Sequence, residues 1–294
     1  MLVIRADATA ATGAGHVMRM ASFIARWRAS GGGEVWLDGR VDIPFVRSHL
    51  TSLGLGAAEG SHRATVLIVD SYDPAVRVKG ASTGNYALRV LVDDVGGIVP
   101  PGYDIVWNPN AYSAAGLYPA FSGEIIGGPD SVPLRTDLPR WVEGTGSRIG
   151  VMLGGGPPPE KFLKALIVLS RRRTDWQFAA PSMWAPDGWL KIAPDAPWTD
   201  LNLCSRLLTA GGSTVWEAAA VGIPVVIAVI ADNQRRVADW AAEANVPVMD
   251  ARSPEDPGSL VEASLARAKK LPTVDGRASA VISRLRSSVR QALT

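Results

Sequence analysis

The chain has 294 residues, enough for one large or two ordinary domains, and its 47% hydrophobic and 20% charged content is typical of a globular protein. A formal net charge of +2 is too small to predict binding to nucleic acid or to an acidic membrane surface. One cysteine excludes an internal disulfide, and no apolar stretch approaches the ~18 residues of a membrane span, so we expect a cytoplasmic protein.

The first half of the chain alternates short apolar runs with segments of helical periodicity. Buried strands are predicted where β-branched residues cluster, and helices where apolar residues recur every three or four positions. The predicted strands are 2–6, 34–37, 65–70, 88–93 and 104–107, and the predicted helices are 16–30 and 43–53. This alternation favours a parallel sheet with helices on both faces.

The second half starts the same pattern again. Residues 127–145 are rich in Gly, Pro and Asp and indicate a linker. A strand at 148–153 then leads into three glycines and a helix from Glu160. The predicted fold class is therefore α/β, with two Rossmann-like domains, residues 1–135 and 145–294, that face a central cleft.

Residues 207–234 form the most informative segment, which predicts strand, glycine turn, helix, strand and acidic turn in that order. Gly211 lets the backbone turn sharply, and Ser213 or Thr214 can cap the helix. Gly222 is expected to end that helix.

This segment predicts a nucleotide site, because free N–H groups at a helix N-terminus bind phosphate. Glu217 lies one turn into the helix, where a carboxylate can accept hydrogen bonds from ribose hydroxyls. The predicted nucleotide-binding residues are Gly154, Gly155, Gly212, Ser213, Thr214 and Glu217.

A second glycine turn follows the first predicted strand and leads into Gly15, His16 and Arg19. Histidine can exchange a proton near neutral pH, and the strand-to-helix edge is where ligands bind in this architecture. We predict that His16 is a catalytic base and that Asp7 orients its ring or holds the substrate.

Polar clusters also follow the next predicted strands. They are Asp70-Ser71-Tyr72, Asp93-Asp94 and Asn108-Pro109-Asn110. Asp93 and Asp94 fit turn formation as well as they fit a ligand site. No further metal ligand is near that carboxylate pair, so we expect neither a metal nor a cofactor. The predicted substrate-binding residues are Gly15, Arg19, Tyr72, Asp94, Asn110, Asn233 and Gln234.

These motifs, in this order, resemble the UDP-sugar hydrolases of the pseudaminic acid pathway, in the GT-B superfamily. The segment 207–234 also resembles the peptidoglycan UDP-N-acetylglucosamine transferase. The resemblance rests on Arg5-Ala6-Asp7-Ala8, on Gly13-Ala14-Gly15-His16 and on the later clusters. It implies a UDP-sugar substrate, no metal, His16 as the base that activates water, and a last helix that packs on the first domain.

The chain departs from this family at three places. Pro157 stands where the family usually has an aspartate, residues 130–133 differ, and the loop after Asp94 lacks a basic residue. The prediction is therefore a nucleotide-sugar hydrolase, with a glycosyltransferase that uses a small-molecule acceptor as the alternative. A non-catalytic sugar-nucleotide-binding protein is the third hypothesis.

Overall fold

The computed structural model describes residues 1–55, 65–112, 114, 116–143, 146–154, 158–253 and 257–291. The chain divides into two compact units. Unit 1 comprises Met1–Thr136 and Asp275–Thr294, and unit 2 comprises Asp137–Val274. Each unit is built on one six-stranded sheet.

The sheet of unit 1 is parallel throughout, with the strand order β2-β1-β3-β4-β5-β6. Its strands are β1 (Leu2–Ala6), β2 (Val35–Asp38), β3 (Val66–Asp70), β4 (Leu88–Val92), β5 (Ile105–Trp107) and β6 (Glu124–Ile126). The connecting helices are α1 (Gly15–Ala29), α2 (Pro44–Ser52) and α3 (Pro74–Ser82). The strands β1 and β3 are almost wholly apolar because helices cover both faces of a parallel sheet.

The core of unit 1 explains why α1 lies on this sheet. Phe23 and Trp27 of α1 are essentially unexposed. The ring of Phe23 lies 5.1 Å from that of Trp107 at the end of β5. This aromatic packing fixes the helix whose first turn carries His16.

Unit 2 has a second parallel sheet, with the order β12-β11-β10-β7-β8-β9. Its strands are β7 (Arg148–Met152), β8 (Gln177–Pro181), β9 (Leu190–Ile192), β10 (Arg206–Ala210), β11 (Val225–Val229) and β12 (Val248–Asp250). Its helices are α4 (Glu160–Arg172), α5 (Pro197–Leu201), α6 (Ser213–Val221), α7 (Arg235–Glu243) and α8 (Pro257–Ala266). The two parallel sheets with their helices confirm the predicted α/β class.

The chain ends on unit 1 with α9 (Ser279–Gln291). Val281 and Leu285 of this helix are buried in the same core as α1. Just before the helix, Gly276 adopts a φ of +67°, and a Cβ there would lie 2.4 Å from Leu134. The segment that leaves unit 1, near Leu134, and the segment that returns to it, near Gly276, are therefore in close contact.

The structure differs from the sequence-based predictions at the predicted linker and in the number of strands and helices. Residues 127–136 pack into unit 1 rather than forming a linker, since Ser131, Val132 and Leu134 are all buried. The elements that were not predicted are α3 and β6 in unit 1, and β8, β9, β12, α5, α7 and α8 in unit 2. Within the described part of the chain, no helix is both long and apolar enough to span a bilayer.

Candidate functional site

The first candidate site lies at the carboxyl ends of β1 and β3. The chain leaves β1 through α1 to reach β2 on one side, whereas β3 pairs with β1 on the other. Such a switch point is where open α/β sheets bind ligands. His16, in the first turn of α1, and Asp70, the last residue of β3, meet there.

A short hydrogen bond joins His16 to Asp70. Their Nδ1 and Oδ1 atoms are 2.6 Å apart, and the two residues are 7% and 1% exposed. Burial alone would raise the pKa of Asp70, but the charge of Arg19 and the hydrogen bond with His16 hold that pKa below its usual value. Because an ionised carboxylate only accepts, we assign the Nδ1 proton to the imidazole. This tautomer leaves Nε2 as the nitrogen that can accept a proton.

Arg19 links Asp70 to a second carboxylate. Its Nε and Nη2 donate to the two oxygens of Asp70 at 3.0 and 2.6 Å, and its Nη1 donates to Asp94 at 3.0 Å. Arg19 lies three residues after His16, so both side chains are on one face of α1. Its Nη2 is also 3.3 Å from Nδ1 of His16. Both atoms carry hydrogens in the assigned tautomer, so we treat that approach as a contact and not as a hydrogen bond.

Tyr72 completes this group of side chains. Its hydroxyl donates to both oxygens of Asp94, at 2.8 and 3.0 Å. Its ring meets the imidazole of His16 edge-on, with centroids 4.6 Å apart. Tyr72 remains 43% exposed. We call His16, Arg19, Asp70, Tyr72 and Asp94 the His16 cluster.

Asp7 was predicted to orient the ring of His16 or to hold the substrate. In the structure its Oδ1 accepts from the backbone amide of Arg40 at 2.6 Å. The carboxylate bonded to the ring is that of Asp70, which the sequence analysis identified only as part of a polar cluster after a predicted strand. A catalytic role for Asp7 stays a prediction. Gly15, predicted to bind substrate, is the first residue of α1.

Asp93 is a structural residue at the turn after β4. It is 2% exposed, and its two oxygens accept from the amides of Val95 and Gly96 at 3.0 and 3.3 Å. Arg77 of α3 lies 3.1 Å from the same carboxylate. These contacts fix the loop that presents Asp94.

Asn110 is connected to the His16 cluster through a tyrosine. Its Nδ2 donates to Asn108 at 2.8 Å and to the hydroxyl of Tyr112 at 3.1 Å. That hydroxyl donates to the backbone oxygen of Asp94 at 3.0 Å. The predicted residues Asp94 and Asn110 therefore belong to one hydrogen-bonded group at adjacent strand ends.

The second candidate site lies at the corresponding point of unit 2. The strands β7 and β10 are neighbours, with Met152 paired to Thr209, and they lead into Gly154 and Gly212. Gly154 has a φ of +96°, which suits glycine, and no atom lies within 4 Å of the position of an added Cβ. Gly155 lies outside the described residues.

The helix α6 begins at this switch point. Its N-cap is Gly212, so the prediction that Ser213 or Thr214 caps it is wrong, because Ser213 is already helical. Gly212 and Ser213 are exposed. A helix N-terminus of this kind offers N–H groups and a positive dipole end to an anion.

Glu217 lies in the second turn of α6 and is partly exposed. Its Oε2 accepts from the indole Nε1 of Trp198 at 2.9 Å. Sequence reasoning missed this pairing, because the two residues are in different elements and no motif links them.

Asn233 and Gln234 follow β11 in a short 3₁₀ turn, Asp232–Gln234. The side-chain oxygen of Gln234 accepts from the amide of Ile230 at 2.9 Å. A Cβ on Gly211 would lie 2.8 Å from the backbone oxygen of Gln234. Glycine at 211 is therefore required by the close approach of this turn. Contact of Asn233 or Gln234 with substrate stays a prediction.

No group of three or more His, Cys, Asp and Glu side chains is arranged to hold a metal within the described residues. No protein-family model matches the chain. No curated protein matches it either. Several solved structures, however, are similar to the chain.

The chain is similar to the spinosyn rhamnosyltransferase SpnG complexed with thymidine diphosphate, at 17% identity, over 99% of this chain and 96% of that one, with a TM-score of 0.59. It is similar to the UDP-GlcNAc 2-epimerase of Neisseria meningitidis bound to UDP-GlcNAc, at 12% identity, over 97% and 99%, with a TM-score of 0.63. The third is MurG of Acinetobacter baumannii, at 13% identity, over 97% and 99%, with a TM-score of 0.57. At such identities the likeness shows the fold alone, which is the GT-B fold.

Proposed function

We propose that the chain is an enzyme that cleaves the anomeric C–O bond of a nucleotide-diphosphate sugar, with water as the acceptor. The observation that carries this proposal is the imidazole of His16, held through Nδ1 by the buried Asp70 at the switch point of unit 1. Such a pairing presents Nε2 as a general base of fixed orientation.

In the proposed reaction Nε2 of His16 accepts a proton from water as the water oxygen attacks the anomeric carbon. The bond from that carbon to the diphosphate oxygen breaks, which releases free sugar and a nucleoside diphosphate. Asp70 remains ionised and stabilises the imidazolium. With a neutral imidazole, Arg19, Asp70 and Asp94 sum to a formal charge of −1. A proton taken up by His16 neutralises the cluster, which favours the base role.

We propose that unit 2 binds the nucleotide. The exposed N-terminal turn of α6, with Gly212, Ser213 and Thr214, would accept the diphosphate, and Glu217 would accept from ribose hydroxyls. Similar solved structures are described as bound to thymidine diphosphate and to UDP-GlcNAc, which supports this class of ligand. The amide-rich turn can stabilise the departing diphosphate without a metal.

A glycosyltransferase is the second candidate, because the structural neighbours include a rhamnosyltransferase. The same base would then deprotonate an acceptor hydroxyl in place of water. Purified protein incubated with UDP-, GDP-, CDP- and dTDP-sugars separates the two, since a hydrolase releases nucleoside diphosphate without acceptor. Nucleotide binding with no turnover, with or without acceptors, would favour the non-catalytic hypothesis.

His16→Asn tests the base directly. We expect turnover to fall by about two to four orders of magnitude, the usual contribution of a general base, while nucleotide affinity stays the same. His49→Asn is the matched control, since His49 lies on α2, outside the His16 cluster. Turnover of His16→Asn within a factor of a few of the wild type would refute the assignment.

A further inference from the structure

We propose that Trp198 is a positioning residue for nucleotide recognition, acting through the carboxylate of Glu217. The inference rests on the proposed function of unit 2. It adds a residue that contacts no ligand itself and that determines how strongly the ribose hydroxyls are held.

The contact is a hydrogen bond from a neutral donor to a carboxylate. Indole Nε1 of Trp198 lies 2.9 Å from Oε2 of Glu217, and Trp198 is 3% exposed. A buried indole N–H needs an acceptor, and hydrogen bonds to ionised groups are about twice as strong as neutral ones. The bond therefore holds Oε2 of Glu217 at a defined position on the surface of α6.

Trp198 is itself held rigidly. It lies on α5, whose Leu201 is fully buried against the sheet. A Cβ on Gly150 of β7 would lie 2.9 Å from Leu201 and 3.2 Å from the sulfur of Cys204. Trp141 donates to the backbone oxygen of Cys204 at 2.9 Å, which ties down the chain after α5. Glycine at 150 thus lets this segment approach β7 closely, and the segment carries the indole.

Because the donor to Glu217 is a neutral indole, it also affects which groups of a ligand this carboxylate can bind. Tryptophan orients Glu217 without neutralising it, whereas arginine or lysine in its place would form an ion pair. A carboxylate oriented by a neutral donor attracts hydroxyl donors and repels phosphate oxygens. The pair is therefore suited to the unmodified 2′,3′-diol of a nucleoside diphosphate.

The test compares Trp198→Phe with Trp189→Phe. Trp189 is also a buried tryptophan of unit 2 whose indole donates to a side-chain oxygen, that of Ser170 at 3.0 Å, and it lies away from α6. Calorimetry would use the tightest-binding of UDP, GDP and CDP, each of which carries both ribose hydroxyls, and its 2′,3′-dideoxy counterpart. Protection of the buried Cys204 from a thiol reagent checks that α5 still packs in each variant.

We expect Trp198→Phe to weaken binding of the hydroxyl-bearing nucleotide by about 10- to 150-fold, the range for a lost hydrogen bond to a charged group. Affinity for the dideoxy nucleotide should not change, and adding Trp198→Phe to Glu217→Ala should have no further effect. The Trp189→Phe variant should bind both nucleotides with the affinity of the wild type.

Two results would overturn the proposal. Equal or tighter binding of the hydroxyl-bearing nucleotide by Trp198→Phe, with Cys204 still protected, would show that the indole does not position Glu217. Equal losses for both nucleotides would show a general packing effect. If the wild type binds none of UDP, GDP and CDP, the role of Trp198 fails. The proposed function of unit 2 fails as well if dTDP is also not bound.

Discussion

Arg19 is the residue that holds the His16 cluster together. Its guanidinium donates to Asp70 through two nitrogens and to Asp94 through the third. A planar group with donors in a fixed fork can orient two carboxylates at once, which lysine cannot do. Arg19 therefore keeps Asp70 ionised beside His16 and ties Asp94 to the same site.

Asp70→Asn tests this charge arrangement through its effect on stability. Removing one partner of a buried ion pair is strongly destabilising, so we expect a loss of about 3 kcal/mol of unfolding free energy at pH 7. The pKa of Asp70 is lowered in the folded protein, so its contribution is present above its unfolded pKa and is lost as pH falls through the folded pKa. By pH 3 the gap between variant and wild type should be about 1 kcal/mol smaller.

Urea unfolding at pH 7 and pH 3, followed by circular dichroism, measures this gap. Asp42→Asn is the control, since Asp42 forms an exposed pair with Arg40 and should matter little at either pH. A gap that is the same at both pH values would mean that the carboxylate charge of Asp70 does not stabilise the fold.

At the scale of single elements, α6 is bounded by two glycines of different function. Gly212 is its N-cap, and Gly222 is its C-cap in the left-handed region, with a φ of 82°. The sequence predicted the end at Gly222 because glycine adopts this conformation without a Cβ clash. No atom lies within 4 Å of an added Cβ at Gly222, so a substitution there tests backbone conformation alone.

Gly222→Ala should destabilise unit 2 by roughly 1–2 kcal/mol, the cost of a left-handed residue with a Cβ. Gly222→Asn is the matched variant, and it should lose less because asparagine tolerates this region. Thermal unfolding of the wild type, Gly222→Ala and Gly222→Asn measures their order of stability. Equal melting temperatures for alanine and asparagine would argue against strain at this cap.

The sequence predicted most strands within one or two residues, because buried parallel strands such as β3 are continuous apolar runs. The helix α3 escaped prediction since its apolar pattern is short and includes Gly80. Packing requires that glycine, as a Cβ would lie 2.6 Å from Val69. A local signal was present, however. Asp73 caps the helix by accepting from Ala75 at 2.8 Å, and Pro74 occupies its first turn.

At the scale of the whole molecule, the same position in the two sheets carries different groups. The switch point of unit 1 carries ionised side chains, whereas that of unit 2 carries glycines, a helix N-terminus and one carboxylate. Both positions could be predicted from sequence motifs, because strand ends and glycine turns are recognisable from a few consecutive residues. They did not find the partners of His16 and Glu217, because Asp70 and Trp198 are brought there only by strand order and by packing.

The reactivity of the single cysteine, Cys204, reports whether its segment of unit 2 becomes exposed to solvent. Cys204 is fully buried, and burial raises the pKa of its thiol to about 12, so the reactive thiolate is scarce at pH 8. We expect Ellman's reagent to leave the folded protein unlabelled and to react fully once urea unfolds unit 2. In Leu203→Cys, the neighbouring position is 49% exposed, and one additional thiol should react at once. Rapid labelling of the wild type without urea would mean that the segment after α5 opens freely, and it would weaken the argument that α5 holds Trp198 rigidly.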